Sequence, residues 1–222
     1  FENGEGFNII NNEPIQRELL SGLLTGRFNT GINDEEVDFY FVKGVIEELL
    51  DYLGYKGRYS FNACEDMNEM HPYRSVYINL NGKNVGIFGE VHPNICKDRV
   101  YVFEIDLSKL LEFKTGKLKY KEFTKYPSVI KDLAFILDKD VLCGDVINTI
   151  KKTSVRFLSD VKVFDYYEGD QVGENKKSIA FKLIFDSPER TLDSAEVLLA
   201  LDSISENVIK KHNAVLRDSK VN

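Results

Sequence analysis

The chain has 222 residues, 43% hydrophobic and 29% charged, with no Trp, few Pro and a net charge of −7, the composition of a folded globular protein with room for one large domain or two small ones. No apolar run approaches the ~20 residues of a membrane-spanning helix, and no basic segment leading into an apolar stretch marks a signal peptide. The acidic excess argues against a general nucleic-acid binder, whose phosphate contacts need Lys and Arg.

Three widely spaced cysteines, Cys64, Cys96 and Cys143, argue against a disulfide framework and fit a reducing cytoplasm. The only methionines are Met67 and Met70, so there is no initiator, and the expectation is a piece of a longer polypeptide. Charge is uneven: residues 1–122 carry 14 basic and 20 acidic side chains, residues 123–222 carry 15 and 16. Any nucleic-acid contact therefore needs a local patch, and the C-terminal part is the better host.

In chain order, Leu19–Thr25 and Val37–Val42 read as strands. Gly44–Leu53 reads as a helix with Val45, Leu49, Leu50 and Leu53 inward and Gly54 as its stop. Val76–Leu80, Val85–Phe88 and Val100–Ile105 follow as strands, the first two joined by Asn81-Gly82. This part is α+β with a mainly antiparallel sheet, and the abrupt start implies that further strands lie upstream.

Residues 114–125, KTGKLKYKEFTK, hold five lysines and few large aliphatics before Tyr126-Pro127, and mark a linker. The expected domains are 1–115 and 126–222, with a linker over 116–125.

Asp132–Leu137 is an apolar run of strand length, and Gly144–Thr153 spaces Val146, Ile147 and Ile150 as a helix with Asp145 in its first turn. Leu158–Tyr167 is a β-branched and aromatic strand ended by a turn over 168–170. Ser178–Asp186 sets Ile179, Phe181, Leu183 and Phe185 on one face. Thr191–His212 is a long helix with an Asp193/Glu196 capping signature and the stripe Val197, Leu201, Ile204, Val208. His212 is expected to be a favourable terminal charge. Ala214–Leu216 closes the unit as a strand. The order β-α-β-β-α-β predicts a ferredoxin-like domain with helices on one sheet face and the other left open for a ligand.

Candidate chemistry is sparse. His71, Glu90 and His92, with Cys64 and Cys96, could be assembled into a zinc site, but the spacing fits no compact zinc pattern and His-Pro pairs commonly close loops. The structural reading is adopted. Gly82, Gly86 and Gly89 form no dinucleotide fingerprint, because no helix opens after them, and tight turns between strands explain them. No nucleophile elbow or phosphate-cradling loop appears, so no catalytic residue is assigned.

The segment Phe164-Asp165-Tyr166-Tyr167-Glu168-Gly169 offers a ring that can stack an unpaired base and a carboxylate that can accept from a base amino group. The alternative is two core aromatics and a turn-capping Asp. Period-2 geometry puts Asp165 and Tyr167 together, on the side of Val161 and Val163, which look buried; either a bulge intervenes or the strand ends there. Lys162 and Lys182, on neighbouring strands, are candidate phosphate contacts sharing a face.

Several words of this chain resemble, in order and spacing, the bacterial phenylalanyl-tRNA synthetase β-subunit family. In the tail they are Tyr126-Pro127-Ser128, Lys131-Asp132-Leu133 (the family usually has Arg at the Lys131 position), Phe164-Asp165-Tyr166-Tyr167 with Gly169, Lys177-Ser178-Ile179-Ala180, Arg190-Thr191-Leu192 and Leu216-Arg217. Upstream they are Phe39 with Lys43-Gly44, His71-Pro72 with Arg74-Ser75, Gly86 with Gly89-Glu90 and His92-Pro93, and Phe103-Glu104 with Asp106.

The resemblance implies a partial class II synthetase-like module without catalytic motifs, followed by a ferredoxin-fold anticodon-binding domain. Its parent would be a cytoplasmic (αβ)2 enzyme using ATP and Mg2+, with the chemistry in the α subunit. The partners implied are the α subunit, tRNA(Phe) and the rest of the β subunit, with no membrane. Asp165 and Tyr167 match the family's base-contacting positions; the magnesium-linked carboxylates and the editing site would lie upstream, with no metal in this chain. Two other classes stand beside it: a ferredoxin-like regulatory domain binding a small metabolite, and a metalloenzyme using His71, Glu90 and His92.

Overall fold

The computed structural model describes residues 1–10, 12–28, 35–116, 125–153 and 155–217. The chain divides into two compact units, Phe1–Tyr120 and Lys121–Asn222. Residues 117–124, the bulk of the stretch read as a linker, lie outside the described residues.

The first unit runs β1 (Glu2–Ile10), β2 (Glu13–Thr25), α1 (Phe39–Tyr52), β3 (Tyr59–Ala63), β4 (Met70–Leu80), β5 (Lys83–Val91), β6 (Val100–Asp106) and α2 (Leu107–Leu111). Its six strands form one antiparallel sheet in the order β1-β2-β6-β5-β4-β3. The β4–β5 connection has Asn81 at φ 50° and Gly82 at φ 82° between the paired Leu80 and Lys83. Two left-handed residues in a two-residue loop twist the strands the way a hairpin needs.

Val37–Val42 was expected as a strand and is not one. The Asp38 carboxylate caps a helix by accepting from the Phe41 N–H at 2.7 Å, and α1 begins five residues before the expected Gly44. The local β-branched and aromatic bias is overridden by a stripe at i, i+4, i+8: Val42, Ile46 and Leu50 are fully buried against a cluster that includes Ile78, Val85, Phe88 and Ile105. The face is rotated accordingly, so Val45, expected inward, is 38% exposed. Gly54, at φ 87°, ends the helix as anticipated.

β1, whose Gly4 and Gly6 weaken the strand signal, and the short β3 and α2 were not expected from the sequence, and two glycines take a different role from the one expected. Gly86 and Gly89 lie inside β5, not in turns. A Cβ on Gly89 would sit 2.5 Å from the Arg74 carbonyl oxygen and the Ser75 Cα; one on Gly86 would strike the Glu104 carbonyl. They are glycine because neighbouring backbone passes too close for a side chain.

The second unit runs β7 (Val129–Asp138), α3 (Cys143–Lys152), β8 (Leu158–Tyr167), β9 (Lys176–Phe185), α4 (Ser194–His212) and β10 (Val215–Arg217). Its sheet order is β10-β7-β9-β8, with every neighbour antiparallel. This is the ferredoxin-like split βαβ arrangement. Asp193 and Glu196 form the capping box of α4, and Val197, Ile204 and Val208 are buried with Phe135, Leu137, Ile179, Phe181, Leu183 and Phe185.

His212 departs from expectation. Its Nε2 lies 2.8 Å from the Thr149 hydroxyl of α3, and burial, followed by the nearby Lys211 charge, pushes its pKa down. It links two helices as a neutral ring and does not serve as a terminal cation.

Candidate nucleic-acid interface

Because α3 and α4 bury one face of the four-stranded sheet, the pairing register fixes what the other face presents. Directly opposed residues on adjacent antiparallel strands point to the same side. On β9, Ile179, Phe181, Leu183 and Phe185 are buried in the core, so Ser178, Ala180, Lys182 and Ile184 point to the other, open face. There Lys182 and Ile184 are partly exposed, and Ser178 and Ala180 lie buried beneath their neighbours.

The decisive feature is in β8. Val161 opposes Leu183 and Val163 opposes Phe181, both on the core side; then the register slips, and Asp165 opposes Ala180 and Tyr167 opposes Ser178. The residue left over, Phe164, is a β-bulge. Of the two possibilities the sequence left open, a bulge is the one realised, and it moves Asp165 and Tyr167 off the Val161 side onto the open face. Both are exposed, Tyr167 at 36%. Tyr166 opposes Ile179 on the core side, but it too is largely exposed.

The Asp165 carboxylate makes no hydrogen bond or ion pair among the described residues. The Tyr167 ring packs over Gly169, where any Cβ would collide with the phenol, so a residue without a side chain sets how that ring lies. Glu168 is engaged: it accepts from the Tyr166 hydroxyl and pairs with Lys139 at 3.0 Å, and these two, in that order, hold its carboxyl below the usual range.

Lys162 stands directly opposite Lys182 on the same face. Lys162 reaches Asp160 at 3.6 Å, while the Lys182 ammonium lies 5.0 Å from the Phe164 ring centroid. Arg217 on β10 donates to the Ser178 hydroxyl at 3.4 Å. The open face thus joins exposed rings, a carboxylate with no partner among the described residues and several cations, parts that can bind and stack an unpaired nucleotide.

The residues of the upstream motif come together differently. Arg74 clamps Glu90 through Nε–Oε2 at 2.5 Å and Nη2–Oε1 at 3.1 Å, and the Tyr101 hydroxyl donates to Oε2 at 3.1 Å. Glu90 is 4% exposed; burial alone would raise its carboxyl pKa, but Arg74 and Tyr101 outweigh that and hold it low. His71 and His92 each accept a backbone N–H two residues on, from Tyr73 and Asn94, at 3.1 Å in both cases. His92 thereby closes the turn that follows β5, and His71 braces the irregular stretch of β4 between Met70 and Ser75. Gly89 admits the Arg74–Ser75 backbone. Among the described residues no group of three or more His, Cys, Asp or Glu side chains is arranged to hold a metal ion, and no helix is long and apolar enough to cross a membrane.

The motif words flagged the stretch around Phe164, yet singled out only Asp165 and Tyr167. The signal for Phe164 was a third aromatic in the same strand, which was assigned no role because the bulge that brings it beside Asp165 and Tyr167 cannot be seen in a sequence.

The fold and this face define an α+β chain that ends in a ferredoxin-fold anticodon-binding domain: that family's model matches residues 124–217. The model of the phenylalanyl tRNA synthetase beta chain CLM domain matches residues 1–107. The chain is similar to the phenylalanine–tRNA ligase beta subunits of Bacillus subtilis (39% identity over 212 residues, 92% of this chain and 26% of that protein) and Bacillus licheniformis (38% over 212 residues, 92% and 26%). It is also similar to that of Staphylococcus epidermidis (36% over 224 residues, 98% and 27%). The chain belongs to the phenylalanyl-tRNA synthetase beta-chain family. It spans about a quarter of the length of the curated relatives it matches. Neither the regulatory metabolite-binding reading nor the metalloenzyme reading finds support in these comparisons.

Proposed function

We propose that the second unit holds the anticodon loop of tRNA(Phe), with Tyr167 stacking a splayed-out base and Asp165 accepting from an amino group on that base. Lys162 and Lys182 take neighbouring phosphates. The first unit, up to residue 115, is a non-catalytic class II synthetase-like module that packs against the α subunit of a cytoplasmic (αβ)2 phenylalanine–tRNA ligase; 116–125 is the linker, and 126–222 the anticodon-binding domain. The Arg74–Glu90 clamp and the His71 and His92 backbone contacts, with Gly89, shape that module.

The α subunit supplies the aminoacylation chemistry with ATP and Mg2+. The buried Glu90 carboxylate is taken up by Arg74 and Tyr101 and has a structural role in this module.

The observation that carries the reading is the β8 bulge, which turns Asp165 and Tyr167 outward beside the cations of the open face. A stacked base contributes about 1–3 kcal/mol and a good base-edge hydrogen-bonding pair a similar amount. Asp165→Ala and Tyr167→Ala in the assembled enzyme are each expected to weaken tRNA binding by roughly 5- to 100-fold. They should raise KM for tRNA and leave ATP-dependent activation of phenylalanine unchanged. Wild-type tRNA binding by both variants overturns the proposal.

A further inference from the structure

The bulge leaves Phe164 over, and the anticodon-loop reading does not use it. Its ring stands 49% exposed. A cation lies against it: the Lys182 ammonium is 5.0 Å from the ring centroid. Lys182 in turn faces Lys162 across the β8–β9 ladder, and like charges at directly opposed positions repel. Asp160 relieves Lys162. Asp132 opposes Lys182 on the β7 side, yet among the described residues Lys182 forms no ion pair. An exposed ring over an ammonium group with no ion pair among the described residues, and a second ammonium alongside, joins the stacking platform and the backbone charge that single-stranded nucleic acids require.

We infer that Phe164, backed by Lys182 and Lys162, is a second stacking station, holding the loop nucleotide next to the one held by Tyr167 and Asp165. This rests on the anticodon-loop reading and deepens it: the domain grips two successive splayed nucleotides. Three residues of extended strand separate the two rings, about 10 Å along β8. Phe164 offers no base-edge hydrogen bond, so its station accepts any base and contributes affinity, while Asp165 contributes choice. Lys182 anchors the phosphate of the same nucleotide as a point charge.

The test is binding of the 222-residue chain to an anticodon stem-loop RNA and to a series in which each loop nucleotide in turn is abasic. Phe164→Ala is expected to weaken the intact stem-loop by about 5- to 100-fold, and to cost nothing further when the one nucleotide it stacks is already abasic. Phe164→Leu keeps apolar bulk without a π-face and is expected to behave like Phe164→Ala, with thermal unfolding unchanged. Lys182→Met is expected to lower the slope of log K against log salt by about 0.7, the value of one single-strand phosphate contact.

Three results overturn the inference. In the first, Phe164→Ala binds like wild type while Asp165→Ala and Tyr167→Ala do not, and the anticodon reading survives alone. In the second, the Phe164→Ala loss is the same for every abasic loop, or Phe164→Leu retains full affinity, and Phe164 is then only a structural residue. In the third, none of the three variants weakens binding, and the anticodon reading falls with the inference.

Discussion

Removing Arg74 is expected to damage the first unit more than neutralising Glu90, and to reverse the sign of its pH dependence. The two partners are unequally buried: the Arg74 side chain is 39% exposed, that of Glu90 5%. In Arg74→Met a buried carboxylate loses both of its guanidinium hydrogen bonds and keeps only the Tyr101 hydroxyl. Stranding one buried charge costs about 3–5 kcal/mol. In Glu90→Gln the guanidinium that remains can turn to water, and the loss is about 1–2 kcal/mol. For a unit of this size the first corresponds to a fall in Tm of roughly 10–25 °C, the second to roughly 4–10 °C.

The pH profile separates the mechanisms. In the wild type Glu90 is held below its unfolded pKa, so the unfolded chain binds more protons, and this contribution is present above the unfolded value and lost as pH falls toward the folded one. Without Arg74, burial dominates and the folded pKa rises above the unfolded one. The folded state then takes up the proton, and stability increases as pH falls from 7 to 5. Calorimetry of the 222-residue chain at several pH values reads both effects. Glu90→Gln costing as much as Arg74→Met, or an Arg74→Met profile with the wild-type sign, would refute the reasoning.

Other outcomes follow from packing and titration. Ile46→Ala, at a fully buried site in α1, is expected to cost about 2–5 kcal/mol in urea unfolding, whereas Val45→Ala is expected to stay within about 0.5–1 kcal/mol. Gly89→Ala forces a Cβ onto the Arg74–Ser75 backbone and is expected to destabilise strongly, while Gly44→Ala, in the open on the same helix as Ile46, is expected to stabilise by about 0.5–1 kcal/mol. Because the His212 pKa is lowered in the folded state, the unfolded chain takes up its proton first. The stability of the second unit is expected to decline as pH falls through about 6.5, and His212→Gln is expected to flatten that part of the thermal-unfolding profile.

Much of the second unit was legible in its residues. The β-α-β-β-α-β order, the Leu158–Tyr167 strand, the α4 capping box and the Val197–Val208 stripe are local periodicities that tertiary packing reinforces. The first unit was harder to read, since the aromatic run around Phe39–Val42 carries strand propensity, and only a buried stripe against the sheet makes it helical. The two strand glycines, Gly86 and Gly89, likewise take their meaning from backbone that is distant in sequence.

The sequence by itself determined the elements of the tail, the segment Phe164–Gly169 and, through its motif words, the family. It could not determine which way Asp165 and Tyr167 point. Alternation counted from Val161 turns both inward; the single residue that β8 leaves unpaired against β9 turns both outward. A strand's period is written locally, but its register is set by the partner strand, and only the assembled sheet decides which face meets the solvent.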